Sequence, residues 1–283
     1  MRIKITADST CDLPLELLER YHVSIAPLTV LINDQPHRDG LDVVPEDLFR
    51  TVEAGGTVKT AAVNAFEYTE FFRRCLDGYD ALIHINIGSN FSACHLNAIQ
   101  AAKDFPNVWV VDSASLSNGQ ALLVVDAAEM AEEGMAPQAI VAALDAEAPL
   151  VDGSFVVNTI DYLYRGGRCS GVEAVGAKLL HIRPCIELLG GKLQVGKKYR
   201  GSLERCLEHY VLDRLADRAQ IDFSRVFIAH AHCSPEIVAH VRSLLERHAN
   251  FRHIHEAVAG STICTHCGPS TLGIMFKRKA PKV

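Results

Sequence analysis

The chain has 283 residues, 48% of them hydrophobic and 22% charged, which is the composition of a globular protein with room for one large or two medium cores. Its formal net charge of −6 argues against nucleic acid or an anionic membrane as the main partner, and no apolar run approaches a membrane span. Met1-Arg2-Ile3-Lys4-Ile5 reads as a first strand and not as a signal peptide, so the expected compartment is the cytoplasm and the nine scattered cysteines are expected to be reduced and mostly buried.

A short strand over Arg2–Ile5 leads into Asp8-Ser9-Thr10-Cys11-Asp12, and Pro14 suits the first turn of a helix to Tyr21, capped by Asp12 or a neighbour. Val23–Ile32 reads as one strand, Asn33–Pro36 as a turn, and Pro45–Glu53 as a helix stopped at Ala54-Gly55-Gly56. Thr57–Asn64 is extended or loop, and Ala65–Leu76 is helical. In Ala81–Ala102 a buried strand breaks at Gly88-Ser89-Asn90 and an Ala-rich helix follows. A strand over Val108–Val111 precedes helices over Asn118–Glu133 and Pro137–Glu147.

Pro149 and Gly153 mark a boundary, giving an N-terminal α/β domain over residues 1–150 and a C-terminal α/β domain over residues 151–283. The second half reads as a strand over Ser154–Asn158 and helices over Thr159–Tyr164 and Val172–Leu180. A hairpin of Ile182–Leu188 and Lys192–Tyr199 follows, then a long helix over Ser202–Ala219. Strands over Arg225–Ala231, His253–Val258 and Gly273–Lys277, with a helix over Pro235–His248, complete it. The expected class is α/β, with a largely parallel sheet in the first domain and a mixed sheet in the second.

Ligands of parallel sheets collect at the carboxyl ends of strands, and Asp8-Ser9, Gly88-Ser89 and Asp112-Ser113 are polar tips at such ends. A strand, a small polar turn and a helix offer free backbone N–H groups to an anion. Ser89 and Ser92 sit at that turn, as ligand groups or simply as helix caps. There is no Walker loop and no dinucleotide fingerprint, so ATP or NAD chemistry by this chain alone, or a nucleotide cofactor, is not expected. Arg168, beside Gly166-Gly167, carries a guanidinium fork suited to an anion or to an interdomain contact.

Cys264 and Cys267 form a lone pair, short of the four ligands of structural zinc and without a clear strand-to-helix start for thioredoxin-like chemistry. His230 with His232, and His253 with His255, would each project to one face of a strand, which leaves a metal site conceivable without predicting one. A serine esterase built on Ser92 and His266 is the enzymatic alternative, although the surrounding residues do not form a nucleophile elbow.

The ordered set of motifs resembles the DegV family of bacterial fatty-acid-binding proteins. Thr6-Ala7-Asp8-Ser9-Thr10-Cys11-Asp12-Leu13-Pro14 is similar to its N-terminal signature, and Gly88-Ser89-Asn90-Phe91-Ser92-Ala93 to its Ser-Ser-x-Leu-Ser-Gly turn. Lys59-Thr60-Ala61-Ala62-Val63-Asn64 stands where the family has Thr-Ser-Gln-Pro-Ser. Asp161-Tyr162-Leu163, Gly166-Gly167-Arg168, Ser170, Lys198-Tyr199-Arg200-Gly201 and His266-Cys267-Gly268-Pro269 resemble the later signatures. The resemblance implies two α/β domains with a long-chain fatty acid between them, its carboxylate hydrogen-bonded by Thr60 and Ser92 with Arg168 and His266 nearby. It also implies a non-catalytic carrier that presents the carboxylate to a separate ATP-dependent fatty acid kinase, with Arg200 at the docking surface. The chain departs from the pattern at Ala61-Ala62-Val63, at Ala93-Cys94 and at Ser270, while Thr60, Ser92, Arg168 and His266 are kept.

Overall fold

A computed structural model of the chain describes residues 1–170 and 182–282. The helix expected over Val172–Leu180 lies outside the described residues.

Strands β1 (Ile3–Asp8), β2 (Ser24–Ala26), β6 (Ala81–Asn86) and β7 (Val108–Asp112) form a parallel sheet in the order β2-β1-β6-β7. β6 is buried at every position because both faces are covered, the condition under which a parallel strand reads as a continuous apolar run. Leu82 faces helices α3 (Ala65–Cys75) and α4 (Cys94–Ala102), whereas Ile83 and Ile85 face α5 (Asn118–Glu132). The chain runs outward from β1 in both directions across this sheet, so the strand order reverses between β1 and β6.

The second main sheet has seven strands in the order β13-β12-β14-β8-β10-β11-β9. They are β8 (Val151–Val156), β9 (Cys169–Ser170), β10 (Ile182–Leu189), β11 (Lys192–Arg200), β12 (Ile221–Ala231), β13 (His253–Val258) and β14 (Thr271–Arg278). The β12–β13 and β11–β9 pairs are parallel and the other four are antiparallel, so the sheet is mixed as expected. One face packs on α8 (Leu203–Arg214) and α9 (Pro235–His248) through Val226, Ile228 and Ile274. The other presents Phe227 and Met275 to α5.

Helix α5 is buried from Asn118 to Ala128, apolar nearly all round, because it lies between the two sheets. Its Asp126 is paired with Lys277 of β14 at 2.8 Å, a cross-link between the halves. Burial is the main influence on Asp126 and lifts its carboxyl to about 7, against the pull of Lys277. A third, antiparallel sheet of β3 (Thr29–Ile32), β4 (Gln35–Arg38) and β5 (Val58–Ala61), with α2 (Pro45–Glu53) beside it, extends the first half toward the second.

Several expectations change. Val23–Ile32 is two strands in different sheets, because Pro27 interrupts the run and the chain turns there. Asp12 does not cap α1 (Leu15–Arg20): it takes a left-handed conformation at φ 49°, and its carboxyl group accepts from Ser117 Oγ and the Gly260 N–H. The helix expected over Ser202–Ala219 ends at Arg214, and a 3-10 turn covers Arg218–Gln220. Helix α10 (Ser261–Cys267) was not expected at all, and the Cys264–Cys267 pair lies on it. α6 (Pro137–Glu147) and α9 keep the expected bounds, and α7 spans Asp161–Gly166. Eight of the nine cysteines are buried.

Candidate functional site

The carboxyl ends of β1 and β6, at the strand-order reversal, hold the turn that leads into α4. Asp8, fully buried at the end of β1, accepts from Tyr68 Oη at 2.5 Å, Asn86 Nδ2 at 3.0 Å and the Ile87 N–H at 2.9 Å, with His84 Nε2 at 3.1 Å. Asp112 accepts from the N–H groups of Ser89 and Ala114. Ser9 Oγ donates to Asp39. Two of the three polar strand tips therefore serve to fix the third. Gly88 must be glycine here, since a Cβ would lie 2.8 Å from the Ser115 nitrogen and 2.9 Å from the Ala114 carbonyl carbon.

The turn forms one wall of an internal cavity of about 250 Å³. The opposite wall comes from β12, β14 and α10 of the second half, and β5 and α7 close the sides. Leu28, Ile87, Phe91, Phe155, Leu163 and Met275 make the lining mainly apolar. No Asp or Glu lines it among the described residues.

Thr60, Ser92, Arg168 and His266 all line this cavity. Thr60 Oγ1 and His266 Nε2 are 2.9 Å apart across 206 residues of sequence. Ser92 Oγ accepts from the Cys94 N–H at 3.3 Å and lies 3.1 Å from Cys94 Sγ, so it closes the start of α4 while facing the cavity. Arg168 is exposed and donates to the Gly166 carbonyl at 2.6 Å, which uses one of five guanidinium donors. A shallower outer groove, lined by Ser89, Leu96 and Ile99 among others, meets the cavity at Phe91, Ser92, Ala93 and Arg168. Ser92 thus stands at the mouth and Ser89 outside it.

Loss of water, with the Arg168 guanidinium adding to it, lowers His266 to about 4, so the imidazole is neutral at pH 7. Its Nδ1 is buried against Gly166, with no hydrogen-bond partner among the described residues. The tautomer protonated at Nε2 leaves only an acceptor unsatisfied there, a smaller penalty than an orphaned N–H. In that tautomer His266 donates to Thr60, and the Thr60 hydroxyl proton is left for a ligand in the cavity. The mouth then offers two hydroxyls and a guanidinium with no opposing carboxylate, an arrangement suited to an anion.

The remaining candidates lie elsewhere. Arg200 is exposed at the end of β11 and takes no part in the cavity lining. His230 and His232 do not share a face: β12 ends at Ala231, and His232 turns away at φ 52° to lie 3.3 Å from Glu46. Among the described residues no three His, Cys, Asp or Glu side chains converge in the manner of a metal site. Neither bond of a serine hydrolase is made among the described residues, because His266 Nε2 meets Thr60 instead of Ser92 and no acid orients Nδ1. Cys267 lines the cavity and Cys264 packs behind it, its thiol pushed up by the Cys267 thiol beside it and by burial. Sequence reasoning missed Thr262 and Ile263 of the lining, because it assigned no helix over α10.

The parallel sheet of the first half and the mixed sheet of the second, with their helices, make this an α/β protein with a mainly apolar cavity lined from both halves. The chain belongs to the DegV family, whose model, described as "Uncharacterised protein, DegV family", matches residues 2–279. It is similar to a DegV domain-containing protein of Caldanaerobacter subterraneus, with 29% identity over 98% of this chain and 99% of that one. It is 28% identical to a Thermotoga maritima protein named "Fatty acid-binding protein", over 96% of both. A solved structure of a Thermus thermophilus DegV family protein, described as binding fatty acid, superposes with a TM-score of 0.89 at 28% identity, covering 98% of this chain and 100% of that one.

Proposed function

We propose that the chain binds a long-chain fatty acid, with the acyl tail in the cavity and the carboxylate at Thr60, Ser92, Arg168 and His266. The observation that carries this reading is the Thr60–His266 hydrogen bond, set beside Ser92 and Arg168 in a mainly apolar cavity. The fatty acid binding described for the Thermotoga maritima and Thermus thermophilus relatives supports it. A carboxylate leaving water needs several donors or a positive partner to stay charged, and two hydroxyls and an arginine supply both. Burial of a long tail, at roughly 0.8 kcal/mol per CH₂, contributes on the order of 10 kcal/mol, enough for the lipid to survive purification.

The protein acts on this reading as a carrier that shields the tail and orients the carboxylate, not as an enzyme. Presentation of the carboxylate to a separate fatty acid kinase in the cytoplasm, with Arg200 on the docking surface, fits a site whose polar end opens on an outer groove. Residues 1–150 and 151–283 are on this account two domains with the ligand held between them. Native mass spectrometry of freshly purified protein tests the central point: a fatty acid mass removable by organic extraction is expected. Lipid-free protein with no affinity for palmitate or oleate overturns it.

A further inference from the structure

We propose that the cavity contains a second polar position at Thr262, which selects fatty acids carrying a hydroxyl on the acyl chain; this rests on the fatty-acid reading above. Thr262 lines the cavity, is 4% exposed, and its Oγ1 has no hydrogen-bond partner among the described residues. The neighbouring hydroxyls are satisfied: Thr265 donates to the Ser261 carbonyl at 2.9 Å and Thr271 to the Cys267 carbonyl at 2.9 Å. Thr262 cannot bond back within the helix as Thr265 does, because it lies in the first turn of α10 and the residue four earlier, Val258, belongs to β13.

Ser117 provides a second, independent mark on the same lining. It is 2% exposed and takes the sparsely populated backbone conformation φ 48°, ψ −136°. Its Oγ donates to Asp12 Oδ2 at 2.5 Å, which leaves the oxygen's lone pairs as acceptors for a ligand hydroxyl.

Thr262 and His266 are four residues apart, so they share one face of α10 and lie about 6 Å apart along its axis. A chain running inward from the carboxylate site along α10 meets Thr262 a few carbons on. A saturated tail laid there strips water from the Thr262 hydroxyl and returns nothing, because a methylene is neither donor nor acceptor. A chain hydroxyl restores the lost hydrogen bond and can donate to Ser117.

The test measures affinity for palmitic acid and for a set of hydroxypalmitic acids with the hydroxyl moved along the chain, using the intact wild type, Thr262→Val and Thr262→Ser. In the wild type one position is expected to bind roughly tenfold tighter than palmitic acid, the ratio for about one neutral hydrogen bond gained or lost. Thr262→Val brings the affinity ratio of that hydroxypalmitic acid to palmitic acid close to one, and Thr262→Ser retains the wild-type ratio. Wild-type protein that binds palmitic acid and favours no hydroxylated chain overturns the inference and leaves fatty acid binding standing, as does an unchanged ratio in folded Thr262→Val. Wild-type protein that binds none of these acids overturns both.

Discussion

Two neighbouring glycines separate the site's geometry from the fold's stability. Gly166 ends α7 and lies against His266, where an added Cβ would overlap Nδ1 and sit 3.3 Å from Cγ and 3.5 Å from Cε1. Carbon contacts settle at about 3.5–4.0 Å, so Gly166→Ala drives the ring away by something on the order of 1 Å. The Thr60–His266 bond, now 2.9 Å, is then stretched beyond hydrogen-bonding range. Loss of one neutral hydrogen bond and of the hydroxyl orientation it enforces comes to about 1–1.5 kcal/mol, or roughly tenfold in Kd. The backbone at 166 is helical, so alanine there raises helix propensity by up to about 1 kcal/mol and the melting temperature should hold. Gly167 behaves in the opposite way: at φ 63° it caps the helix in the left-handed region, with nothing within 4 Å of an added Cβ. Gly167→Ala should therefore cost about 1 kcal/mol of stability and leave affinity alone. Displacement of a fluorescent fatty acid, run beside thermal melts, reads both. Equal affinity for wild type and Gly166→Ala, or an equal loss in both variants, refutes the role given to His266.

The other predictions concern single groups. Ser92→Ala and His266→Ala should each weaken fatty acid binding several-fold by titration; if both bind like wild type, the carboxylate site has been misplaced. His266→Gln should change acid stability: the folded imidazole titrates near 4 against 6.5 unfolded, so wild type loses stability as pH falls from about 6.5 to 4. That loss is roughly 3 kcal/mol by linkage and should be absent in the variant, as seen in urea midpoints across this range. Asp12 has the opposite sign. Burial lifts its carboxyl to about 8 against the hydrogen bonds from Ser117 and Gly260, so its contribution is full below about 4 and is lost as pH rises toward 8. Asp12→Asn should flatten that limb of the stability profile, and an unchanged pH dependence would count against a protonated Asp12. Tyr210→Phe leaves the Ile274 N–H without the Tyr210 oxygen it donates to, and removes the donor to the Ser154 carbonyl, in a fully buried setting. It should cost about 1–3 kcal/mol in denaturant melts.

Much of the fold could be read from apolar periodicity and helix punctuation. Pro45, Pro137 and Pro235 each open a helix at the expected residue, because proline's missing N–H and fixed φ suit a first turn. Gly190-Gly191 likewise marks the β10–β11 turn, both at positive φ. What local pattern could not supply is the tertiary origin of α10. Ser261-Thr262-Ile263-Cys264-Thr265-His266-Cys267 is poor in helix formers and is held by packing against α2, α7 and β5. Without that helix the Cys264–Cys267 pair lacks a strand-to-helix setting in the sequence, and nothing local marks Thr262. The Val23–Ile32 error was avoidable, since Pro27 is the signal that splits it. Among the site residues Thr60 and His266 carried no local mark, and only the order of motifs along the whole chain linked them. The hydrogen bond between them depends on where β5 and α10 are brought together, which neither segment encodes alone.

The most direct test of the account is the identity of the molecule that leaves the cavity when freshly purified, undenatured protein is extracted with organic solvent. A long-chain fatty acid near one per chain is expected, with retention reduced in Ser92→Ala. Protein that yields no lipid, and that takes up neither palmitate nor oleate when these are supplied, contradicts it.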